Sequence, residues 1–308
     1  MATVALNKEA TRIAYGKGRW LANAWRLPIQ TDRLATFADA KQLTFDQAHV
    51  EYLDVSRDGM QLAFSSDRSG NPDIWILPAA GGTDPEPFTR DPTPDWNPAW
   101  SFDGTAIAFY AYRSGNREIW MQPVGGGPAI QLTSGNSESV FPRFSPNGKE
   151  IVYNSRVGGS ADLWVRPATA GGNARQLLGG APADLNPDWS PDGNWIAFQS
   201  NRSAGGGIWR VPGTPGSEPT RVSQPNATRP RWSSDGLWIY FNRRSPVTGV
   251  IDVWRVSFDG KTEQRLTNFE GRRGRLEANA MDADDRFVYI AWHEDIGDIW
   301  VMDIGARR

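Results

Sequence analysis

Two histidines, His49 and His293, and a recurring set of carboxylates, amides and arginines are the residues of this chain whose chemistry could go beyond packing. His49 stands two residues before Glu51, a pairing able to move a proton, and is the candidate catalytic group. Glu51, Asn97, Asn186, Asp188 and Glu277 fall at comparable places in successive segments. Their hard oxygens suit a divalent cation such as calcium, with an open position for water or substrate. Asp54, Trp96, Phe141, Arg143, Arg229 and Arg231 lie in the same segments and suit ligand or partner contact, the aromatics as anchors and the arginines as planar charged donors. Asp95, Asp184 and Asn279 accompany them. Two outcomes stay open: the oxygens converge on one point, or the arginines neutralise them.

Other chemistries find less support. A Ser-His-Asp hydrolase would have to use one of the two histidines, and no Gly-x-Ser-x-Gly elbow occurs. Two imidazoles cannot supply a three-histidine metal cluster. The absence of cysteine excludes disulfides, thiolate ligands and thiol nucleophiles. Gly125-Gly126-Gly127 lacks the Lys-Ser/Thr of a phosphate loop and reads as a turn. The most basic stretch, Gly271-Arg272-Arg273-Gly274-Arg275, reads first as a solvated loop and second as a contact for phosphate or an acidic partner, and a net charge of −2 argues against nucleic acid as a partner. Acidic residues two before a tryptophan (Asp73, Glu118, Asp162, Asp252, Asp298) recur with upstream arginines (Arg68, Arg113, Arg156, Arg202). Such repetition points to shared bonds that pin loops, since catalysis needs an asymmetric constellation.

The elements that position these residues repeat. Trp25, Trp75, Trp120, Trp164, Trp209, Trp254 and Trp300 each end a short apolar run, at spacings of 50, 45, 44, 45, 45 and 46 residues. Upstream lie Ser56-Arg57-Asp58-Gly59, Ser101-Phe102-Asp103-Gly104, Ser145-Pro146-Asn147-Gly148, Ser190-Pro191-Asp192-Gly193 and Ser233-Ser234-Asp235-Gly236. Asp-Gly and Asn-Gly between apolar runs are hairpin signals, because glycine adopts positive φ without steric penalty. Each unit therefore holds four strands, with Glu9-Ala10 and Asp284-Asp285 at the turn positions of the irregular end copies. A four-stranded blade cannot bury both faces alone, so neighbours must cover it.

The spacing predicts an all-β fold in one domain, 1–308: a seven-bladed β-propeller of four-stranded antiparallel blades near 2–45, 46–90, 91–134, 135–178, 179–223, 224–268 and 269–308. Only eight residues follow Trp300, so the last blade is expected to lack its outer strand and to expose an edge for self-association. The chain reads as a domain excised from a longer protein. It shows no apolar stretch approaching the roughly 20 residues of a membrane span and no signal peptide.

The units resemble the TolB-type β-propeller repeat, a relative of the WD repeat, with its Ser-Pro-Asp-Gly hairpin (190–193), Ile-Ala-Phe strand (Ile196-Ala197-Phe198) and Asp-Ile-Trp strand (Asp73-Ile74-Trp75). The resemblance covers essentially the whole chain, closest from Tyr52 to Trp254. It implies a bacterial binding module and, as for TolB, a periplasmic or extracytoplasmic setting. TolB has six blades against the seven counted here, so its partner-binding residues are not carried over. The expected function is a sensor or interaction domain of a larger protein, binding a protein, a peptide or a small polar ligand at the channel face. The alternative is a metal-assisted lactone or phosphoester hydrolase at the same mouth.

Overall fold

The computed structural model describes residues 4–6, 8, 12–180 and 182–303. The repeated hairpins form for a local reason. In the first, Ser56 Oγ donates to Asp58 Oδ1 (2.6 Å), which also accepts the Met60 N–H (2.9 Å), while Gly59 takes φ +69°. Gln61 N–H then returns to Ser56 Oγ (2.9 Å). The same circuit recurs at Ser101/Asp103, Ser145/Asn147, Ser190/Asp192 and Ser233/Asp235. Each turn fixes the register of the two innermost strands of its blade.

Five blades follow the chain in order, each four-stranded and antiparallel: blade 1 over 50–87, blade 2 over 95–131, blade 3 over 139–178, blade 4 over 184–221 and blade 5 over 227–265. Blade 6 is composite. Its innermost strand is Arg275–Ala283 and its second is Phe287–Asp303, but its third is Arg12–Pro28 and its outer strand is Lys41–Gln42. The N-terminal segment thus closes the ring.

The blade count is therefore six rather than seven, and the last blade is complete. Trp25 pairs with Ile290 and Gln42, as Trp75 pairs with Phe64 and Pro87 in blade 1, so Trp25 is the third-strand tryptophan of blade 6. Asp298-Ile299-Trp300 imitates the motif, but no turn precedes it. The second strand runs straight on and pairs Trp300 with Tyr15 in a ribbon beyond the blade. Trp300's side chain and the Glu9-Ala10 turn lie outside the described residues. With its third and outer strands in place, blade 6 lacks the bare edge on which self-association was expected.

The core lies between blades. Ala63 and Ile74 of blade 1 pack with buried Trp100, Ile107 and Phe109 of blade 2, and Ala108 and Ile119 pack with Phe144, Ile151 and Tyr153 of blade 3. Third-strand tryptophans seal these layers from outside: Trp120 and Trp164 are partly buried against them. The repeated arginines lie over the same aromatics, Arg68 on Phe64 and Trp75, Arg113 on Phe109 and Trp120, Arg202 on Phe198 and Trp209. A stacked guanidinium shields ring surface while its head pairs with a carboxylate, Asp95 for Arg113 and Asp184 for Arg202, so the repetition is structural.

Candidate functional site: two layers of a central channel

The innermost strands carry a one-residue register shift in blades 1 to 5. At it Tyr52, Asn97, Phe141, Asn186 and Arg229 all hold φ between +48° and +58°. Bulky side chains avoid that region, and the bulge recurs in every regular blade, so it is a feature of the repeat that sets where these five side chains stand. In blade 6 the shift runs from Leu276 to Met281, and within it Glu277 is half-buried and Asn279 exposed.

The ring residues of alternate blades meet across the channel. Tyr52 and Phe141 have centroids 6.1 Å apart, and the Arg229 guanidinium lies 5.5 Å from the Tyr52 ring. Trp96 stacks on Tyr110 at 5.6 Å, Tyr110 meets Phe141 at 6.2 Å, and Tyr112 packs edge-on to Trp96 at 5.7 Å. Arg117 flanks this group, donating to the Tyr112 hydroxyl at 2.7 Å. Trp96, Tyr112, Tyr52 and Phe141 are half-buried, so the upper mouth, where the innermost strands begin, is aromatic and partly open.

Sequence reasoning found Trp96 and Phe141 but missed Tyr52, Tyr110, Tyr112 and Arg117. A signal existed for Tyr110: it stands in the second strand where the other regular blades place Ser65, Asn154, Gln199 and Asn242.

Two positions further along the innermost strands comes a charged layer of Asp54, Arg143, Asp188, Arg231 and Asp282, with Ala99 in blade 2. These charges line a cavity of about 100 Å³ that opens at the hairpin end, the lower mouth. Arg57 reaches across this mouth to the Ser234 carbonyl at 2.6 Å. Arg143 donates to Asp54 and lies 3.8 Å from Asp188, while Arg231 pairs with Asp282 at 3.4 Å. The three carboxylates also stitch blades together, Asp54 accepting Trp100 N–H (2.6 Å), Asp188 accepting Trp232 N–H (2.8 Å) and Asp282 accepting Val55 N–H (2.7 Å).

Burial raises the pKa of all three acids. Asp188 is pushed up to about 7, opposed chiefly by Arg143. Asp282 rises well above the carboxylate range, burial first and the Asp54 charge second, and Asp54 rises less because Arg143 and the Trp100 N–H favour its ionised form. Asp54 and Asp282 titrate as a coupled pair, each pushed up chiefly by burial.

The single mouth read from the sequence is thus two layers. Asp54, Arg143, Asp188 and Arg231 belong to the lower one; Trp96, Asn97, Phe141, Asn186 and Arg229 form the upper one. Glu51 lies at the rim with His49 Nδ1 3.3 Å from its Oε1, and its pKa is raised by burial first, with His49 opposing and Glu277 adding. The two histidine rings are 6.1 Å apart, edge to face. Among the described residues no group of three or more His, Asp or Glu gathers where it could hold a metal. Asp95 and Asp184, read as mouth residues, are instead bound by Arg113 and Arg202. The basic loop is pinned rather than free: Arg272 pairs with Glu294 at 2.9 Å, and the Arg273 carbonyl accepts the Trp292 indole N–H at 3.2 Å.

These features define a six-bladed β-propeller closed by its N-terminal strand. Residues 82–268 match the TolB beta propeller domain, and the chain belongs to that family. No curated protein matches it in sequence. Among solved structures, a putative TolB from Agrobacterium tumefaciens superposes with a TM-score of 0.69 at 20% identity, over 91% of this chain and 99% of that one. TolB from Acinetobacter baumannii gives 0.60 at 18%, over 90% and 65%. An oligogalacturonate lyase from Vibrio parahaemolyticus gives 0.52 at 11%, over 95% and 96%. At these identities the likeness is one of fold. Among the described residues no helix is long and apolar enough to cross a membrane.

Proposed function

We propose that this propeller is a ligand- or protein-binding module, the sensor or interaction domain of a larger bacterial protein, and that it takes a peptide, a protein or a small polar ligand at the upper channel mouth. The observation that carries this reading is the cluster of Tyr52, Trp96, Tyr110, Tyr112 and Phe141 gathered at that mouth. Rigid aromatic side chains give contact area with little loss of rotamer freedom, which is why such clusters act as binding anchors. Blades 4 and 5 place Leu185 and Thr228 where Trp96 stands, so the anchor is one-sided, as a site for one ligand requires. A periplasmic or other extracytoplasmic setting goes with the family.

The charged layer supports binding over metal chemistry, because Arg143 is paired with Asp54 and lies 3.8 Å from Asp188, and Arg231 is paired with Asp282. The test is a screen of blocked di- and tripeptides and amino-acid derivatives by ligand-observed NMR, repeated with Trp96→Ala and Phe141→Ala. Hits lost in both variants support the reading. Stoichiometric metal by elemental analysis, with chelator-sensitive turnover of esters or phosphoesters, would replace it with the hydrolase.

A further inference from the structure

Arg229 sits at the centre of the channel, between the aromatic mouth and the charged layer, and is 1% exposed. None of its three guanidinium nitrogens makes a hydrogen bond, and no carboxylate lies within ion-pair distance of it among the described residues. Buried polar groups are almost always paired, and an uncompensated buried charge is among the costliest features a fold can hold. Further donors of this channel are also buried and unbonded: Asn97 Nδ2, at the same ring position in blade 2, Arg143 Nη2 and Arg231 Nε, alongside one unbonded acceptor, Asn186 Oδ1 in blade 4.

The pairing of the other channel arginines points the same way. Arg143 is paired with Asp54 and Arg231 with Asp282, whereas Arg229 has no such partner among the described residues. Burial lowers the Arg229 pKa to about 10, with the nearby Arg143 charge next in effect, so Arg229 remains a cation at neutral pH. The channel therefore holds one cation, Arg229, without an ion-pair partner among the described residues, beside further buried unbonded donors.

We propose that Arg229, with Asn97 and Arg143, forms a receptor for a single carboxylate inside the upper channel, borne by a small organic acid or by the C-terminus of a peptide. The proposal rests on the upper mouth being the binding face and adds the group that the ligand must carry. A carboxylate matches the planar guanidinium fork, and its single charge matches the one arginine that lacks a partner. A phosphate dianion would place two negative charges against one unpaired arginine, close to Asp54 and Asp188. The Tyr52 ring covers the guanidinium, so the carboxylate enters as that ring swings aside, and the body of the ligand is left among Trp96, Tyr110 and Phe141.

The experiment is calorimetric titration of the full chain with N-acetyl-L-phenylalanine, its primary amide, the free acid and the amide of acetyl-Ala-Ala-Phe, and inorganic phosphate. The free acids should bind at least about tenfold tighter than their amides, as a charge-assisted bidentate pair implies. That preference should vanish in Arg229→Met, or in Arg229→Gln if the first variant does not fold. Without ligand, Arg229→Met should melt higher than the wild type, because it removes an unanswered buried charge. Tighter binding of N-acetyl-L-phenylalanine identifies a small acid as the source, and tighter binding of the tripeptide acid identifies a peptide terminus; either supports the receptor. Acids and amides binding equally, with the Trp96→Ala variant losing both, would overturn the carboxylate and leave the binding mouth standing. Phosphate binding as tightly as the acids, a preference retained without Arg229, or no binding by any probe would also overturn it.

Discussion

Arg143 of blade 3 donates to the Asp54 carboxylate of blade 1, passing over blade 2, where Ala99 occupies the corresponding position. The small side chain clears the path, and one guanidinium also comes within 3.8 Å of Asp188 in blade 4. A single residue thus ties three blades through the channel. Removing one partner of a buried pair strands the other, so Arg143→Met should destabilise the protein by about 3 to 5 kcal/mol in urea unfolding. The double variant Asp54→Asn/Arg143→Met should lose clearly less than the sum of the two single changes. Strict additivity would show that the pair is not coupled.

The raised acids set a pH dependence. A carboxyl whose folded pKa exceeds its unfolded value binds more protons when folded, so its contribution to stability is present below the unfolded pKa and is lost as pH rises to the folded one. For Asp188 the window runs from about 4 to about 7. Asp95, raised to about 6, adds to the slope over its lower part. Stability measured against pH should therefore decline across this window, and Asp188→Asn should flatten the decline. A variant that tracks the wild type in parallel from pH 4 to 7 would contradict the assignment.

Ring closure depends on the N-terminal segment. Deleting residues 1–42 removes the third and outer strands of blade 6 and bares the edge of Phe287–Asp303. Unpaired edges recruit other chains. The truncated protein should elute as concentration-dependent assemblies in size-exclusion chromatography; a stable monomer with unchanged melting temperature would show that closure does not matter.

Packing ranks the tryptophans. Trp292 is 2% exposed and packs against Phe37 and Phe269 at centroid distances of 4.8 and 5.1 Å, whereas Trp164 is only partly buried. Trp292→Ala should remove about 3 to 5 kcal/mol of stability. Trp164→Ala should remove less while still lowering the melting temperature. An unchanged melting temperature for Trp164→Ala would show that it does not anchor neighbouring blades.

The repeat itself was legible because each unit carries its own turn chemistry, Ser56 to Gly59 and its copies, and local circuits survive in any larger context. The count was not, because Trp300 satisfies the motif without the turn that must precede it. Trp25-Arg26-Leu27-Pro28 shares its Trp-x-x-Pro with Trp75, Trp120, Trp164 and Trp209, which marks Trp25 as a regular copy, but Trp254 and Trp300 both lack the proline, so it could not single out Trp300. Of the site, the innermost-strand residues were legible as a set because they vary while the repeat holds. Their division into two layers was not. It follows from the one-residue bulge at Tyr52, Asn97, Phe141, Asn186 and Arg229, and a bulge leaves no mark in spacing when every regular blade carries it. Tyr110 escaped because only register shows that it reaches the mouth beside Trp96.

The central claim is that ligands meet this propeller at the aromatic mouth. The indole N–H signals of the 15 tryptophans, labelled with nitrogen-15 and with Trp96 assigned through Trp96→Phe, report on it directly. On titration with the tightest-binding probe, the account predicts that the Trp96 signal moves while those of Trp100, Trp189 and Trp232, which line the lower cavity, stay in place. Movement confined to those three, with Trp96 still, would contradict it.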